Sequence, residues 1–434
     1  MKTVKEVVLL LCVTLLLVSC TKNETSGDNK ITNRENKIDY IEYTADDAFL
    51  SEELSREAYP QTLKAIPVCP TADSVYSGGG GESGWQRFYV DGNGTAKTVS
   101  MCRDPLCTHR NASCPAYMAR SSMILLEADG KLYYFCPLED GKSYGLAEYD
   151  PAAMTTRIAC RMEDSGMFLG RVGRFLFYYT RPVIGQKDNG QAISEMRLYR
   201  YDILRDQAEY LFKAPDNTDF VFSEGYGGYL WYFTPGKRSL CRRDVNMKNE
   251  EKLISPGAPM LTYDLRGDEV FYIVREEDGQ GGWGYGTLYR CNLVSGETEA
   301  LYQDVTWFTL DGDTLYYTLY DPIPCFDWDI VAYDDEGEKK TEQHTIYTMN
   351  GNTVYRVPLD QAGKQGEAVP GIGKLAENGA YLGEIYRVWQ NYLLVQVREA
   401  YQENGRNGMF TGYAAVDMES GEVSYFSTDI VMNR

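Results

Sequence analysis

The chain has 434 residues and a formal net charge of −20, with 63 acidic against 43 basic side chains. Aromatic residues make up 13% of the sequence, and the 35 tyrosines among them favour strands over helices. A nucleic-acid-binding protein needs a basic face to neutralise phosphates, so this acidic balance disfavours nucleic acid as a partner.

The first 19 residues have the pattern of a bacterial lipoprotein signal peptide. A short basic start, with Lys2 and Lys5, precedes an almost unbroken apolar run over residues 7–18. A helix of that length rises about 18 Å, so it is too short to be a stable span of a hydrocarbon core roughly 30 Å thick. The run ends in Leu-Val-Ser-Cys at residues 17–20, which resembles the lipobox whose cysteine is acylated and becomes the mature N-terminus.

We therefore predict that Cys20 carries acyl chains such as palmitate, which attach the protein to the extracytoplasmic face of the cell membrane. The alternative is a signal peptide cut nearby, with Cys20 an ordinary thiol. Residues 20–60 are predicted to form the lipidated N-terminus and a flexible polar tether, because residues 21–37 have almost nothing to bury. Residues 46–57 could form one short helix that packs against the folded body.

The folded body, residues 61–434, contains a repeated pattern. Five segments have a Gly or Asp followed by alternating apolar and aromatic residues, and a sixth copy is weaker; they are residues 130–135, 173–179, 228–233, 267–272, 312–317 and 390–395. A second strand of the type Leu-Tyr-Arg-Tyr-Asp follows each segment, as at residues 198–202. Four strands per unit, at a period of roughly 40 to 55 residues, is typical of the blades of a β-propeller.

The sequence thus predicts an all-β protein with seven four-stranded blades, and six or eight blades are the alternatives. A β-solenoid or two β-sandwiches would be alternative architectures. The first blade is predicted over residues 63–100, with residues 85–91 as its third strand. Blades two to seven are predicted to begin near Met123, Phe168, Phe220, Leu261, Val305 and Glu384.

One face of the predicted propeller carries long insertions. If the strands of a blade are labelled A to D from the inside, the B–C loops lie on the same face as the D–A links between blades. The long insertions are all B–C loops, at residues 182–195, 276–286, 321–350 and 400–409. They contain aromatic and acidic residues that would suit a sugar or peptide ligand: Trp283, Tyr285, Phe326, Asp327, Trp328, Asp329 and Tyr401. The alternative is that these loops are insertions that the fold merely tolerates.

The link between the first two predicted blades contains a metal-binding pattern. Cys102, Cys107, His109 and Cys114 have the spacing Cys-x4-Cys-x-His-x4-Cys, and His109 is one of only two histidines in the chain. Zinc favours tetrahedral thiolate and imidazole ligands, and a closed set of four such ligands is structural rather than catalytic. We therefore predict a structural zinc ion at this position.

A disulfide at this position is the other possibility, because the protein is predicted to be exported. The chain has 11 cysteines, and removing Cys12 of the signal peptide and Cys20 leaves an odd number. Three metal ligands would leave six cysteines, an even number. The count therefore favours the metal slightly.

The lipobox, the Cys/His motif over residues 102–116 and the repeats together resemble a group of uncharacterised surface lipoproteins of Gram-positive gut bacteria. Their propellers are similar to TolB-type and YWTD-type domains. The resemblance therefore implies a propeller fold and a location at the cell surface, but it implies no biochemical activity. This sequence departs from the group in the first blade, where the glycine run 78–81 is expected to replace a normal strand pairing.

Signatures of catalysis are few. The glycine run 78–81 is not followed by Gly-Lys-Ser/Thr, so it is not a phosphate-binding P-loop. No Gly-x-Ser-x-Gly motif occurs, and only His109 and His344 are available for His-dependent catalysis. We predict a non-catalytic module that binds or scaffolds a protein, peptide or glycan. The alternative is a surface carbohydrate-active enzyme that uses paired carboxylates on the insertion-loop face.

Overall fold

The structure is a computed structural model that describes residues 42–44, 68–78, 84–104, 106–109, 114–122, 124–187, 190–214, 221–234, 236, 238–275, 284–333, 339–403 and 406–432. The chain separates into two units, residues 1–42 and residues 43–434. The signal peptide, Cys20 and the helix predicted over residues 46–57 lie outside the described residues. In the described part of the chain, no helix is both long enough and apolar enough to cross a membrane.

Five antiparallel sheets have four strands each and use the chain in consecutive order. The first two sheets consist of β1 (Val68–Pro70), β2 (Val75–Ser77), β3 (Gln86–Val90) and β4 (Ala96–Ser100), then β5 (Leu126–Ala128), β6 (Lys131–Pro137), β7 (Tyr144–Asp150) and β8 (Thr155–Met162). The third sheet consists of β9 (Gly166–Val172), β10 (Phe175–Thr180), β13 (Arg197–Asp202) and β14 (Gln207–Lys213), with the hairpin β11 (Val183–Gln186) and β12 (Ala192–Ser194) inserted after β10.

The next sheet consists of β15 (Val221–Tyr226), β16 (Tyr229–Phe233), β17 (Leu240–Asp244) and β18 (Glu250–Ile254). A seven-stranded sheet follows, with β19 (Met260–Arg266), β20 (Glu269–Arg275), β21 (Gly286–Asn292), β22 (Thr298–Asp311), β23 (Thr314–Leu319), β26 (Tyr355–Pro358) and β27 (Glu367–Ala368). The hairpin β24 (Ile323–Tyr333) and β25 (Lys339–Thr348) is inserted after β23, and the last sheet consists of β28 (Ala380–Trp389), β29 (Tyr392–Glu403), β30 (Arg406–Asp417) and β31 (Val423–Met432).

The long strand β22 connects the two parts of the seven-stranded sheet. Its first half pairs with β21, where Tyr302 lies opposite Leu288. Its second half pairs with β23, where Val305 lies opposite Leu319. The strand is therefore the outer strand of one set of four and the inner strand of the next.

Local turn chemistry explains the glycine at the start of the repeated segment 130–135. The turn between β5 and β6 consists of Asp129 and Gly130, with φ of 54° and 71°. Tight hairpins of this kind need positive φ at both central residues, which Asp and Gly adopt more readily than other residues. The repeated Gly-Lys-Leu-Tyr-Tyr type of segment is thus a hairpin turn followed by the second strand of a sheet.

Buried apolar clusters lie between successive sheets. Seven such clusters occur within the described residues: five join sheets that are neighbours along the chain, and one lies within the seven-stranded sheet, among β20–β23 and β26. The seventh joins the last sheet to the first, because Val75 and Phe88 pack with Leu394 and Phe426. The Nε1 of Trp389 donates a hydrogen bond to the carbonyl of Thr71 at 2.8 Å. The first and last sheets therefore contact each other, as the closure of a propeller requires.

The all-β prediction is confirmed, with a propeller-like arrangement that includes five four-stranded sheets. The predicted starts near Phe168 and Leu261 agree with β9 and β19, and the third strand predicted over residues 85–91 agrees with β3. The expectation that the glycine run would replace normal pairing in the first blade is wrong, because β2 pairs with β3 and Val75 lies opposite Phe88. Gly78 instead makes room for an indole, since a Cβ there would lie 2.3 Å from Trp85 Cε2.

Candidate metal centre and insertion face

The four predicted metal ligands come together in the link between the first and second sheets. The sulfurs of Cys102, Cys107 and Cys114 and a ring nitrogen of His109 all lie within 4.8 Å of one another. The Nδ1 of His109 is 3.5 Å from the Sγ of Cys114. Tetrahedral zinc, with bonds of about 2.3 Å to sulfur and 2.0 Å to nitrogen, has ligand–ligand distances of roughly 3.5–3.8 Å. The cluster therefore needs only a small contraction to surround an ion.

Local hydrogen bonds bring the ligands together. Asp104 forms a turn in which its carboxylate accepts from the N–H of Leu106 at 2.9 Å and its carbonyl accepts from that of Cys107 at 3.2 Å. His109 has φ of 56°, which turns the chain back towards the cysteines. Cys114 precedes the short helix α1 (Pro115–Met118), with proline at its first position. The spacing of the motif thus corresponds to one tight turn, one reversal and one helix start.

Burial raises the pKa of the Cys102 and Cys114 thiols, and loss of hydration is the largest cause for both. Contact with Cys107 raises the pKa of Cys114 further. A bound divalent cation would supply the positive charge that buried thiolates need, and its binding would release their protons. The arrangement can therefore hold a metal ion through four side chains.

All nine cysteines of the described residues are free thiols: Cys69, Cys102, Cys107, Cys114, Cys136, Cys160, Cys241, Cys291 and Cys325. The disulfide considered for the motif is therefore not formed in this structure. Within the described part of the chain, the Cys102–Cys114 set is the only group of three or more Cys, His, Asp or Glu side chains that could hold a metal.

The remainder of this link is packed against Trp85, a residue that sequence analysis did not single out for this role. The Nε1 of Trp85 donates to the carbonyl of Ala119 at 2.9 Å, and the Trp85 carbonyl accepts from the N–H of Met101 at 2.9 Å. Trp85 is 1% exposed and lies in one apolar cluster with Cys69, Cys114 and Ala116. The indole thus joins the metal-ligand cluster to the core between the first two sheets.

Three of the four predicted insertions form hairpins on the face that carries the B–C loops, which we call the insertion face; residues 276–283 of the other insertion lie outside the described residues. Residues 182–195 contain β11 and β12, residues 321–350 contain β24 and β25, and β29 and β30 extend into residues 400–409. The pairing of β24 with β25 runs from Ile323–Thr348 to Tyr333–Lys339. In the fourth insertion, β29 and β30 pair as far as Glu403 and Arg406, so this insertion is an extension of two blade strands rather than an irregular loop.

The predicted ligand-binding residues are only partly described. Tyr285 stacks on Tyr320 with ring centroids 4.2 Å apart, and the exposed Asp327 accepts a hydrogen bond from Thr345 at 2.9 Å. Trp283 lies outside the described residues. Four others are placed by their backbones alone, within β24 and β29: Phe326, Trp328, Asp329 and Tyr401. Their role as ligand contacts stays a prediction.

Buried polar side chains fasten the base of the β24–β25 hairpin to the last sheet. Thr348 Oγ1 donates to the carbonyl of Leu382 at 2.9 Å, and Asn350 Nδ2 donates to that of Gly383 at 2.8 Å. Asn352 Nδ2 donates to the carbonyl of Ala380 at 3.1 Å. The three side chains are at most 3% exposed. Losing such buried hydrogen bonds is costly, so they hold the base of the hairpin against the last sheet.

Two further features of the insertion face were missed by sequence analysis. The β11–β12 hairpin has three exposed apolar side chains, with Val183 67%, Ile184 50% and Ile193 38% exposed. A groove of about 640 Å³ lies beside α1 and the β6–β7 loop, lined by Tyr117, Met118, Arg120, Pro137, Leu138, Glu139, Asp140, Ile158 and Arg161. The apolar residues within the insertion 182–195 were a sequence signal for the exposed hairpin, and the groove had no comparable signal.

No protein-family model matches the chain, and a search of curated proteins finds no match. Among solved structures, a prolyl endopeptidase is 9% identical to this chain, with a TM-score of 0.45. The match covers 90% of this chain and 54% of the endopeptidase chain. An oligogalacturonate lyase in complex with manganese is 11% identical, with a TM-score of 0.42 over 79% of this chain and 86% of that one. TolB from Acinetobacter baumannii is 14% identical, with a TM-score of 0.34 over 71% of this chain and 64% of the TolB chain.

This chain spans about half of the prolyl endopeptidase chain. Likenesses at this level of identity concern the fold alone and suggest no activity for this chain. With TM-scores below 0.5, the description of the fold rests on the strand pairing and the clusters between sheets.

Proposed function

We propose that the protein is a lipid-anchored β-propeller on the extracytoplasmic face of the cell membrane, where it binds a protein, peptide or glycan without catalysing its conversion. The observation that carries this proposal is the hairpin β24–β25, whose base is held to the last sheet by buried hydrogen bonds, on the same face as the exposed apolar hairpin β11–β12. Long loops grafted on one face of a rigid scaffold are the usual location of binding sites. The resemblance to surface lipoproteins of Gram-positive bacteria agrees with this location.

We infer that the propeller has seven blades. The seven-stranded sheet would supply two of them, because β22 pairs with β21 in its first half and with β23 in its second half. Together with five four-stranded sheets this makes seven, and seven buried clusters within the described residues would be their interfaces. An experimental map with six or eight blades around the axis would contradict the count.

We further propose that Cys102, Cys107, His109 and Cys114 bind one structural zinc ion. Three thiolates and one imidazole are a common structural zinc set, and all four positions of a tetrahedron would be filled by protein. An ion closed off in this way has no position for substrate or water. Its expected contribution is to order the link between the first two blades.

Replacing the predicted acylated cysteine is expected to end membrane attachment. Without Cys20, no thiol is available at residues 17–20 for lipid, and an acyl chain contributes about 0.8 kcal/mol per buried CH₂ to anchoring. In Cys20→Ala the protein should appear in the medium or remain unprocessed, as measured by cell fractionation and mass spectrometry of the N-terminus. Cys12→Ala, within the apolar run, is the matched control and should stay in the membrane. Normal membrane retention of Cys20→Ala would disprove lipid anchoring.

Shortening the β24–β25 hairpin is expected to abolish ligand capture and to leave the propeller folded. The change removes residues 325–346 and joins Pro324 to Tyr347 through Asn-Gly, which keeps Thr348 and Asn350. Changing the length of a surface loop alters its closure entropy only slightly, so the melting temperature should change by no more than a few degrees. Capture is measured with the full chain on a glycan array and a peptide array.

The matched control carries Leu204→Ser and Val294→Ser, which replace apolar side chains that are 61% and 79% exposed in C–D turns on the opposite face. This control should capture ligand as the unchanged chain does. Unaltered capture by the shortened protein would refute binding through this hairpin. Release of cleaved oligosaccharides from a glycan would favour the carbohydrate-active enzyme instead.

A further inference from the structure

Tyr43, which precedes the first sheet in the chain, lies against the third and fourth sheets. The ring of Tyr43 packs on that of Phe175, with centroids 4.7 Å apart. The guanidinium carbons of Arg200 and Arg174 lie 4.5 Å and 5.0 Å from the centre of the Tyr43 ring. The tyrosine thus sits among one aromatic ring and two cations, an arrangement that favours an electron-rich ring.

The hydroxyl of Tyr43 is bound at both of its hydrogen-bonding positions. It donates to Oδ2 of Asp202 at 3.1 Å and accepts from Nη1 of Arg205 at 3.0 Å. Phenylalanine at this position would leave the side chain of Asp202, which is 1% exposed, without that donor. A site that hydrogen-bonds a hydroxyl discriminates strongly against the analogue that lacks it. The contacts therefore select tyrosine over phenylalanine.

One side chain binds the main chain of Tyr43 at both of its polar groups. The N–H of Tyr43 donates to Oδ1 of Asn246 at 3.0 Å, and Nδ2 of Asn246 donates to the Tyr43 carbonyl at 2.7 Å. The carboxamide thus pairs with the peptide as a neighbouring strand would. This recognition is independent of the side chains that flank the tyrosine.

The walls of the site are held by contacts that do not involve Tyr43. Arg200, which is fully buried, donates to the carbonyl of Val245 at 2.7 Å and to Glu209 at 2.6 Å. Asp202 accepts from Arg174 at 3.1 Å and from the N–H of Leu204 at 3.0 Å. Because these contacts remain when the tyrosine leaves, the site is preorganised to accept it.

We propose that Arg174, Phe175, Arg200, Asp202 and Asn246 form a recognition site for a tyrosine in an extended peptide, occupied by Tyr43 of the same chain. We call it the Tyr43 pocket. It lies at the A–B and C–D turns, so antiparallel pairing places it on the face opposite to the insertions. Docking of Tyr43 would leave the insertion face free for its ligand.

Hydrogen exchange of the full chain, purified in detergent, tests occupancy. The Tyr43 amide should exchange at least about tenfold more slowly than an unstructured amide, because it donates to Asn246. Tyr43→Ala or Asn246→Ala should raise exchange around residue 43 to the unstructured rate, while the strands of the third and fourth sheets keep theirs. Asn246→Asp keeps one acceptor oxygen and should give an intermediate rate. Protection that increases with protein concentration would show exchange between copies and overturn occupancy by the same chain.

A peptide in trans tests recognition itself. A labelled peptide of residues 39–48, with Tyr40 replaced by Phe, should bind Tyr43→Ala at least about tenfold more tightly than the unchanged chain, whose own Tyr43 competes at high effective concentration. The Tyr43→Phe form of that peptide should bind more weakly, and the Tyr43→Ala, Asn246→Ala protein should not bind it. Failure of the peptide to bind Tyr43→Ala would overturn the pocket. Shortening β24–β25 should leave this binding unchanged, which separates it from the proposed ligand capture.

Discussion

The full chain is expected to contain about one zinc ion per molecule, and Cys107→Ser is expected to lose it. The ligand atoms of the four residues already lie within 4.8 Å of one another. Removing one thiolate leaves three protein ligands for an ion that structural sites bind with four. Elemental analysis of the purified protein measures the stoichiometry directly.

Loss of the ion should loosen the link without unfolding the ring. Free energy of metal binding becomes local folding free energy, and each sheet interface has its own apolar cluster. A chelator should therefore speed proteolysis near Arg103 and Arg110 while the far-ultraviolet spectrum stays strand-like.

Cys160→Ser is the matched control for the zinc site, because Cys160 is a partly buried thiol in β8 outside the cluster. It should keep the full zinc content and the same proteolysis rate. Absence of zinc, together with a Cys102–Cys114 or Cys107–Cys114 disulfide in mass spectrometry, would refute the metal site and establish the disulfide.

Trp85→Ala is expected to lower the free energy of unfolding by about 3–5 kcal/mol, the range typical of truncating a fully buried tryptophan. The indole is 1% exposed, and its Nε1 donates to the Ala119 carbonyl that follows α1. Truncation would leave a cavity between the first two sheets and remove one of the two donors to the Ala119 carbonyl, whose other donor is the N–H of Ser122. Urea unfolding measures the change, and the slope of free energy against urea should stay constant if the same surface is exposed.

Trp85→Phe should cost less, because a smaller aromatic ring still fills most of the space, although the hydrogen bonds from Nε1 to the carbonyls of Ala119 and Ser122 are lost. The control is Tyr347→Ala, since Tyr347 is 48% exposed and should change stability by no more than about 0.5 kcal/mol. Equal stability of Trp85→Ala and the unchanged protein would show that this indole does not fasten the link to the core.

Several features of the fold follow from short stretches of sequence. The Asp-Gly turn before Lys131 and the alternation that follows it define a hairpin within about ten residues. The Cys/His cluster is also local, because all four residues lie within thirteen residues of chain, which contain the turn at Asp104, the positive φ of His109 and the residue that precedes α1. Such features can be predicted from the sequence because they depend on the backbone preferences and side-chain chemistry of residues that are close together along the chain.

Other features required partners that are far apart in the sequence. Trp389 donates to Thr71 over 318 residues, and Asn246 binds the main chain of Tyr43 over 203 residues. Neither pair has a spacing that could be recognised, because a propeller brings distant turns together only after its blades have stacked. The role of Gly78 was misread although its partner is only seven residues away, because the spacing alone does not show that the indole of Trp85, just before β3, fills the space beside it.

The strand repeat, the position of the insertions and the four residues of the Cys/His cluster can be predicted from the sequence alone, because each depends on residues that are neighbours along the chain. The folded structure was needed to show how the last sheet closes on the first, how the β24–β25 base is fastened to Leu382 and Gly383, and where Tyr43 binds. These contacts depend on the relative positions of whole sheets. Burial between those sheets makes their hydrogen bonds costly to lose, and no local pattern encodes that geometry.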